Sequence, residues 1–295
     1  VTSWGIVATV KAAPEKVRAF AAHHLSLGAA HLWLCFDDPA DPTAALAHPQ
    51  ITAIPCDAAH WSRLGTRPDR HQNRQSKNAQ AVYRRCTLDW LAHLDVDEFL
   101  WPERPVADIL STLPPAQILC RAEPFEAMHD PALPDDIFTA QQFRGSLKKP
   151  FTHLRAPVLG PYAAILPEAM LSHANGKALF RTGIPGLSPR LHGAFLNGTR
   201  LPGPPFQPGL ALLHFHAQNR ADWLAALPFR LTRGAYQYHP DLQSFLAAAT
   251  PQQVAAFYDE TQTLTPAKTE MLRSESRLIN ASLALRRSIP QHFPH

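Results

Sequence analysis

Asp95, Asp97 and Glu98 stand within four positions of one another, at the end of the apolar run Trp90-Leu91-Ala92-His93-Leu94. The run reads as a buried strand that leads straight into three carboxylates. Carboxylates are costly to bury without a compensating cation or donors. Side chains at i and i+2 of a strand share a face. Asp95 and Asp97 are therefore expected to look into one crevice while Val96 packs the other way. Such a pair suits a hard cation, Mn²⁺ or Mg²⁺, which takes oxygen ligands and leaves room for substrate phosphates. The plain alternative is a solvated turn after a strand. Glu98 reads either as a third carboxylate of the site or as a structural hydrogen-bonder.

The elements that would position these groups are legible from periodicity. Residues 4–10 form a short apolar strand. Pro14 suits the first turn of a helix in which Val17, Phe20, Ala21, His24 and Leu25 recur at helical spacing, and Gly28 can end it. His31–Phe36 and Ile51–Cys56 are the next strands. A helix over about 73–87 precedes the motif strand, and a short helix (106–113) and a strand (117–121) follow it. Strand–helix alternation over the first 125 residues predicts a right-handed, mostly parallel sheet. In such sheets ligands bind outside the carboxyl ends of the strands. Residues 124–208 are rich in proline and glycine and read as loops and short strands facing an acceptor. Residues 210–215 form a late strand. Beyond 219 the chain reads as helical, interrupted at Pro228, with Thr265-Pro266 capping a final helix to about Arg287.

Hydrophobic strand, Asp-x-Asp, then Glu-Phe resembles the metal and nucleotide-sugar motif of GT-A glycosyltransferases, and more narrowly a family-2-like bacterial group with a DxDEF signature. The resemblance extends over roughly residues 4–236. Val7-Ala8-Thr9-Val10-Lys11 is similar to the group's first strand, and His23-His24-Leu25-Ser26-Leu27-Gly28-Ala29 to its double-histidine helix. Leu34 to Thr43 is similar to its acidic loop. Gly176-Lys177, Pro189-Arg190-Leu191-His192, Leu213-His214-Phe215-His216 and Arg233-Gly234 are similar to its central and late segments. The group carries Asn-Glu where this chain has Ala12-Ala13, and a Lys-Ser pair where it has Gln218-Asn219.

The resemblance implies an α/β fold of GT-A type: a Rossmann-like, mostly parallel mixed sheet flanked by helices. Its domain would span 1–236, as a nucleotide-binding half (1–125) and an acceptor-side half (126–236), followed by a helical C-terminal extension (237–295). It implies metal-dependent transfer of a sugar, with inversion, from a UDP- or GDP-sugar to a glycan or lipid-linked acceptor hydroxyl. Asp97 would bind Mn²⁺ or Mg²⁺ directly. Asp95 would reach the ribose, or the metal through water. His214 would be a third metal ligand from the late strand. Asp37 or Asp38 would hydrogen-bond the base or ribose, against a plain reading of both as turn residues. Arg74, Gln75 and Asn78 open a helix whose free N–H groups suit anions, and would face the donor; a solvated helix start is the plain alternative. Lys177 and Arg190 would neutralise the diphosphate. An inverting transferase needs a carboxylate base; Glu126 is the choice among Glu123, Glu126, Asp130, Asp135 and Asp136.

Composition allows this reading. The chain has 295 residues, 45% of them hydrophobic, and a formal net charge of +4, enough for a sizeable core. Its basic residues are scattered, which argues against a nucleic-acid footprint. The charge is compatible with peripheral contact at an anionic membrane surface. The four cysteines form no Cys-x-x-Cys and read as buried thiols of a reducing, cytoplasmic environment. No secretory leader or membrane span is read, and the opening directly on a strand suggests a trimmed N-terminus. Two other functions fit the same residues. One is a non-catalytic sugar-nucleotide or glycan-binding protein on a degenerate transferase fold, favoured by Ala12-Ala13. The other is a metal-dependent phosphate enzyme, but those with Asp-x-Asp usually carry it near the N-terminus.

Overall fold

The computed structural model describes residues 1–294. The chain divides into two compact units and passes between them repeatedly. One unit comprises 1–123, 176–212 and 284–295, the other 124–175 and 213–283.

The first unit opens with β1 (Trp4–Val10), α1 (Pro14–Ser26), β2 (His31–Phe36), β3 (Ile51–Pro55), α2 (Ala58–Leu64), α3 (His71–Tyr83), β4 (Trp90–His93), β5 (Glu98–Pro102) and α4 (Val106–Ser111). β6 (Leu119–Ala127) then carries the chain into the second unit, which holds β7 (Gln142–Gly145) and α5 (Arg155–Leu159). The chain returns for β8 (Lys177–Arg181), β9 (Leu187–Arg190), β10 (Gly193–Leu196) and β11 (Thr199–Arg200), and leaves again along β12 (Phe206–His214). In the second unit follow α6 (Arg220–Thr232), α7 (Pro240–Ala248), α8 (Pro251–Gln262), α9 (Pro266–Ser274) and β13 (Leu278–Asn280); α10 (Leu285–His292) belongs to the first.

The sheet of the first unit runs β3-β2-β1-β4-β8-β6. β1 pairs in parallel with both β2 and β4, and β2 with β3. β8 lies antiparallel between β4 and the start of β6. The result is α/β architecture: a mixed sheet with a parallel centre, flanked by helices. β1 and β4 are apolar on both faces because helices cover parallel sheets from both sides; β4 is buried along its whole length. At Gly5 a side chain would collide with the His31 carbonyl oxygen, 2.6 Å from an ideal Cβ, so β1 and β2 require glycine there.

α1 begins at Pro14 and ends where Gly28 takes φ +88° and the Ala29 N–H reaches back to His24 O. Its two histidines fasten it to β5. Leu100 N–H donates to His24 Nε2, so the His24 proton sits on Nδ1, which donates to Phe20 O at 2.8 Å. His23 Nε2 donates to Leu100 O at 2.8 Å. Burial keeps both rings neutral: it lowers the His23 pKa to about 4 and His24 well below its ordinary value.

The second unit is built around Leu147, Val158, Trp223, Tyr236, Phe257 and Tyr258. The expected helix from Thr265 to Arg287 is a helix, a strand and a second helix. Thr265 caps α9, whose first residue is Pro266, as expected. The helix stops at Ser274 and Ser276 takes φ +55°. Residues 278–280 then pair with β7, Leu278 opposite Arg144. A ladder partner more than a hundred residues away overrides the local helical pattern. Pro228 does not interrupt α6, which continues through it to Thr232. The segment 124–208, read as loops and short strands, holds the end of β6, β7 to β11, α5 and the start of β12.

Candidate functional site

The Asp-x-Asp motif is a tight turn between β4 and β5. Glu98 N–H donates to Asp95 O at 3.0 Å, closing the turn. The Glu98 carboxylate reaches back and accepts the Asp95 N–H at 2.8 Å. Glu98 is wholly buried, while Asp95 and Asp97 are half-buried. The turn holds both Asp backbones at the carboxyl end of β4, beside the end of β1.

A lysine fills the charge balance of this turn. The Lys177 ammonium lies 2.6 Å from Asp95 Oδ2 and 3.1 Å from Glu98 Oε2. Its side chain has 0% exposure, that of Glu98 0% and that of Asp95 25%. Burial works against the charged ammonium, but Asp95 and Glu98 outweigh it and raise the lysine pKa. The other Asp95 oxygen accepts from the Gln75 side-chain amide at 2.5 Å. Gly176 precedes Lys177 with φ +64°, and a side chain there would run into the Ala122 carbonyl. His192 Nδ1 donates to Gly176 O at 3.0 Å and His93 Nδ1 to Arg190 O at 3.3 Å. Both imidazoles have pKa values lowered to about 4, by burial first and then by Lys177.

A second carboxylate is organised at the end of β2. Arg74 grips Asp37 with Nε to Oδ1 at 2.7 Å and Nη2 to Oδ2 at 2.8 Å. Arg67 adds a contact at 3.1 Å. Burial favours protonation of Asp37, but the two guanidiniums outweigh it and hold the pKa below its ordinary value. Arg74 also donates to the carbonyls of Pro68 and Asp69. The start of α3 thus spans both carboxylates, Arg74 on Asp37 and Gln75 on Asp95. His71, the first residue of that helix, feels both: burial lowers its pKa, Asp95 opposes this, Arg74 lowers it and Asp37 opposes again.

The other expected residues fall into two groups. Asp38 closes a local turn, its Oδ1 accepting from Ala40 N–H at 3.0 Å. Asn78 is buried; its Oδ1 accepts from His60 Nε2 at 2.9 Å and its amide donates to Thr9 Oγ1 at 3.0 Å and Cys56 Sγ at 3.6 Å. It braces α3 against the sheet. Arg190 is exposed and stacks on Phe195. Glu126 and His214 belong to the second unit. Glu126 is buried, and its two oxygens accept the backbone N–H groups of Leu171 (2.9 Å) and Ser172 (2.6 Å). It sits opposite Arg144 in the β6–β7 ladder. This is the geometry of an anchor, and we assign it no proton transfer. His214 ends β12 with its ring 5.8 Å from that of His173 and 5.4 Å from that of His216.

The donor set bears on a dication. Mg²⁺ and Mn²⁺ need several oxygens, and Mg²⁺ sites typically draw on one or two carboxylates plus substrate phosphates. Asp95 and Glu98 already serve an ammonium. Asp97, two residues on in the same turn and half-buried, would be the carboxylate of such a phosphate-assisted site.

No protein-family model matches the chain. No curated protein matches it either. Among solved structures, the chain is similar to a CMP:2-keto-3-deoxy-manno-octonic acid synthetase complexed with CTP. The identity is 14%, over 93% of this chain and 98% of that one, at a TM-score of 0.26. Among the described residues no helix is long and apolar enough to cross a membrane.

Sequence reasoning passed over Arg67 and His71, which carry no motif of their own. It also passed over the pairing of Lys177 with the motif, because β8 is 82 residues from Asp95.

Proposed function

We propose that the chain is a glycosyltransferase that takes its sugar from a UDP- or GDP-sugar and passes it, with inversion, to a hydroxyl of a glycan or lipid-linked acceptor, the hydroxyl proton passing to a carboxylate other than Glu126. The observation that carries this reading is the linkage of Asp37 to Arg74 and of Asp95 to Gln75 at the carboxyl ends of β2 and β4 and the start of α3, with Asp97 two residues on in the same turn. Open α/β sheets bind ligands at that edge. Asp37 and Asp95 are acceptors suited to ribose hydroxyls or a base N–H. The α3 N-terminus suits an anion. Asp97 is the residue we assign to Mn²⁺ or Mg²⁺. A dication there neutralises charge on the departing diphosphate. The residues of the chain fix the nucleotide, and Lys177 holds Asp95 in place while they do so. The membrane-side acceptor and a cytoplasmic location belong to the same proposal.

The test is a donor and acceptor panel read by release of the nucleoside diphosphate. Acceptor-dependent release from one donor, reduced at least ~100-fold in Asp97→Ala, supports the reading. Release of phosphate from simple esters, without sugar transfer, removes it.

One observation favours a binding role instead. Glu126, the expected base, is held by two backbone N–H groups, and Ala12-Ala13 offer no polar side chain. Nucleotide binding with no turnover on any acceptor would select that reading.

A further inference from the structure

Lys177 is a permanent part of the Asp-x-Asp turn rather than a surface cation near it. Its side chain is fully enclosed, at the first position of β8, next to a glycine that no other residue replaces without a collision. Its register is set by pairing opposite Ala122 of β6. The ammonium touches two carboxylates, one of them wholly buried. Buried charges persist only when paired, and removing one member leaves the other uncompensated. Two carboxylates and one ammonium leave one net negative charge, whereas the carboxylates alone carry two.

We propose that the Lys177 ammonium is the resident counter-cation of the Asp95–Glu98 pair, so that a divalent cation is kept from Asp95 Oδ2 and Glu98 Oε2 and enters through Asp97 in company with a diphosphate. The last clause rests on the transferase reading; the first does not. A free dication faces a seat already held by a positive charge. A nucleoside diphosphate brings its own oxygens and shifts the balance. The order of loading is then nucleotide with metal, not metal first.

The experiment is titration of Mn²⁺ alone, without nucleotide, followed by electron paramagnetic resonance of the free ion. Wild type, Lys177→Met and Lys177→Met/Glu98→Gln are compared, with circular dichroism confirming the fold of each. The wild type is expected to bind weakly, Lys177→Met at least ~10-fold more tightly, and the double variant as weakly as the wild type. Should Lys177→Met fail to fold, the double variant, which removes the ammonium together with one buried carboxylate, must still match the wild type. Mn²⁺ binding by the wild type as tight as that of Lys177→Met, or micromolar binding by the wild type alone, overturns the proposal. If the Mn²⁺ pattern holds while no UDP- or GDP-sugar binds, the transferase reading fails and the counter-cation assignment stands.

Discussion

Arg74 and Asp37 meet through both ends of a fork: Nε to Oδ1 at 2.7 Å and Nη2 to Oδ2 at 2.8 Å, with side chains only 11% and 10% exposed. The pair joins the start of α3 to the end of β2, so it both supports the fold and shapes the edge where a nucleotide would sit. A planar guanidinium makes this two-point contact and an ammonium does not. Arg74→Lys should therefore lower stability by about 1–3 kcal/mol and weaken nucleotide binding. Urea unfolding and a nucleotide titration check this. An unchanged unfolding midpoint would show that the fork contributes nothing.

Glu126 gives the second prediction. Its two oxygens accept two backbone N–H groups, and Gln offers only one carbonyl oxygen in their place. Arg144 also loses its opposing charge; burial lowers the arginine pKa to about 10, and Glu126 counters that. Glu126→Gln should cost about 2–4 kcal/mol of stability while the folded fraction keeps turnover within a few-fold. An unchanged stability with a ~100-fold loss of turnover would restore Glu126 as the base.

Acid sensitivity follows from the buried histidines. His23, His93 and His192 have pKa values lowered to about 4, and His24 and His216 lie well below their ordinary value, all chiefly through burial. Between about 4 and 6.5 the unfolded chain binds these protons and the folded chain does not. Stability therefore rises with pH across that window, is fully present above about 6.5, and is lost as pH falls toward 4. One such histidine accounts for up to about 3 kcal/mol. Urea midpoints at pH 7, 6 and 5 test this, since ordinary carboxylates change little over that range. Equal midpoints at pH 7 and 5 would contradict the neutral assignment of these rings.

Much of the first unit was readable because its signals are local. Pro14, Gly28 and the apolar spacing of Val17, Phe20 and His24 describe α1, and the run from Trp90 to Leu94 describes β4. Asp95 and Asp97 were readable for the same reason, as charges at the end of an apolar strand. What escaped depends on distant partners. Lys177 acquires its role from the antiparallel placement of β8 beside β4. Glu126 looks like any carboxylate after a strand until the backbone of Leu171 and Ser172 closes over it. The break of the last helix at Ser276 follows from pairing with β7, and nothing in the spacing of Leu272, Ile279 and Leu283 announces it. Asp38 and Asn78, placed at the donor by resemblance, spend their polar atoms on a local turn and on bracing α3.

The most direct measurement is calorimetric titration of UDP and GDP, and of their common sugars, with and without Mn²⁺, into the wild type and Asp97→Ala. One nucleotide is expected to bind, Mn²⁺ to strengthen the binding, and Asp97→Ala to lose the Mn²⁺ effect while remaining folded. Folded wild-type protein that binds no nucleotide, or an Asp97→Ala variant with the same Mn²⁺-dependent affinity, would contradict this.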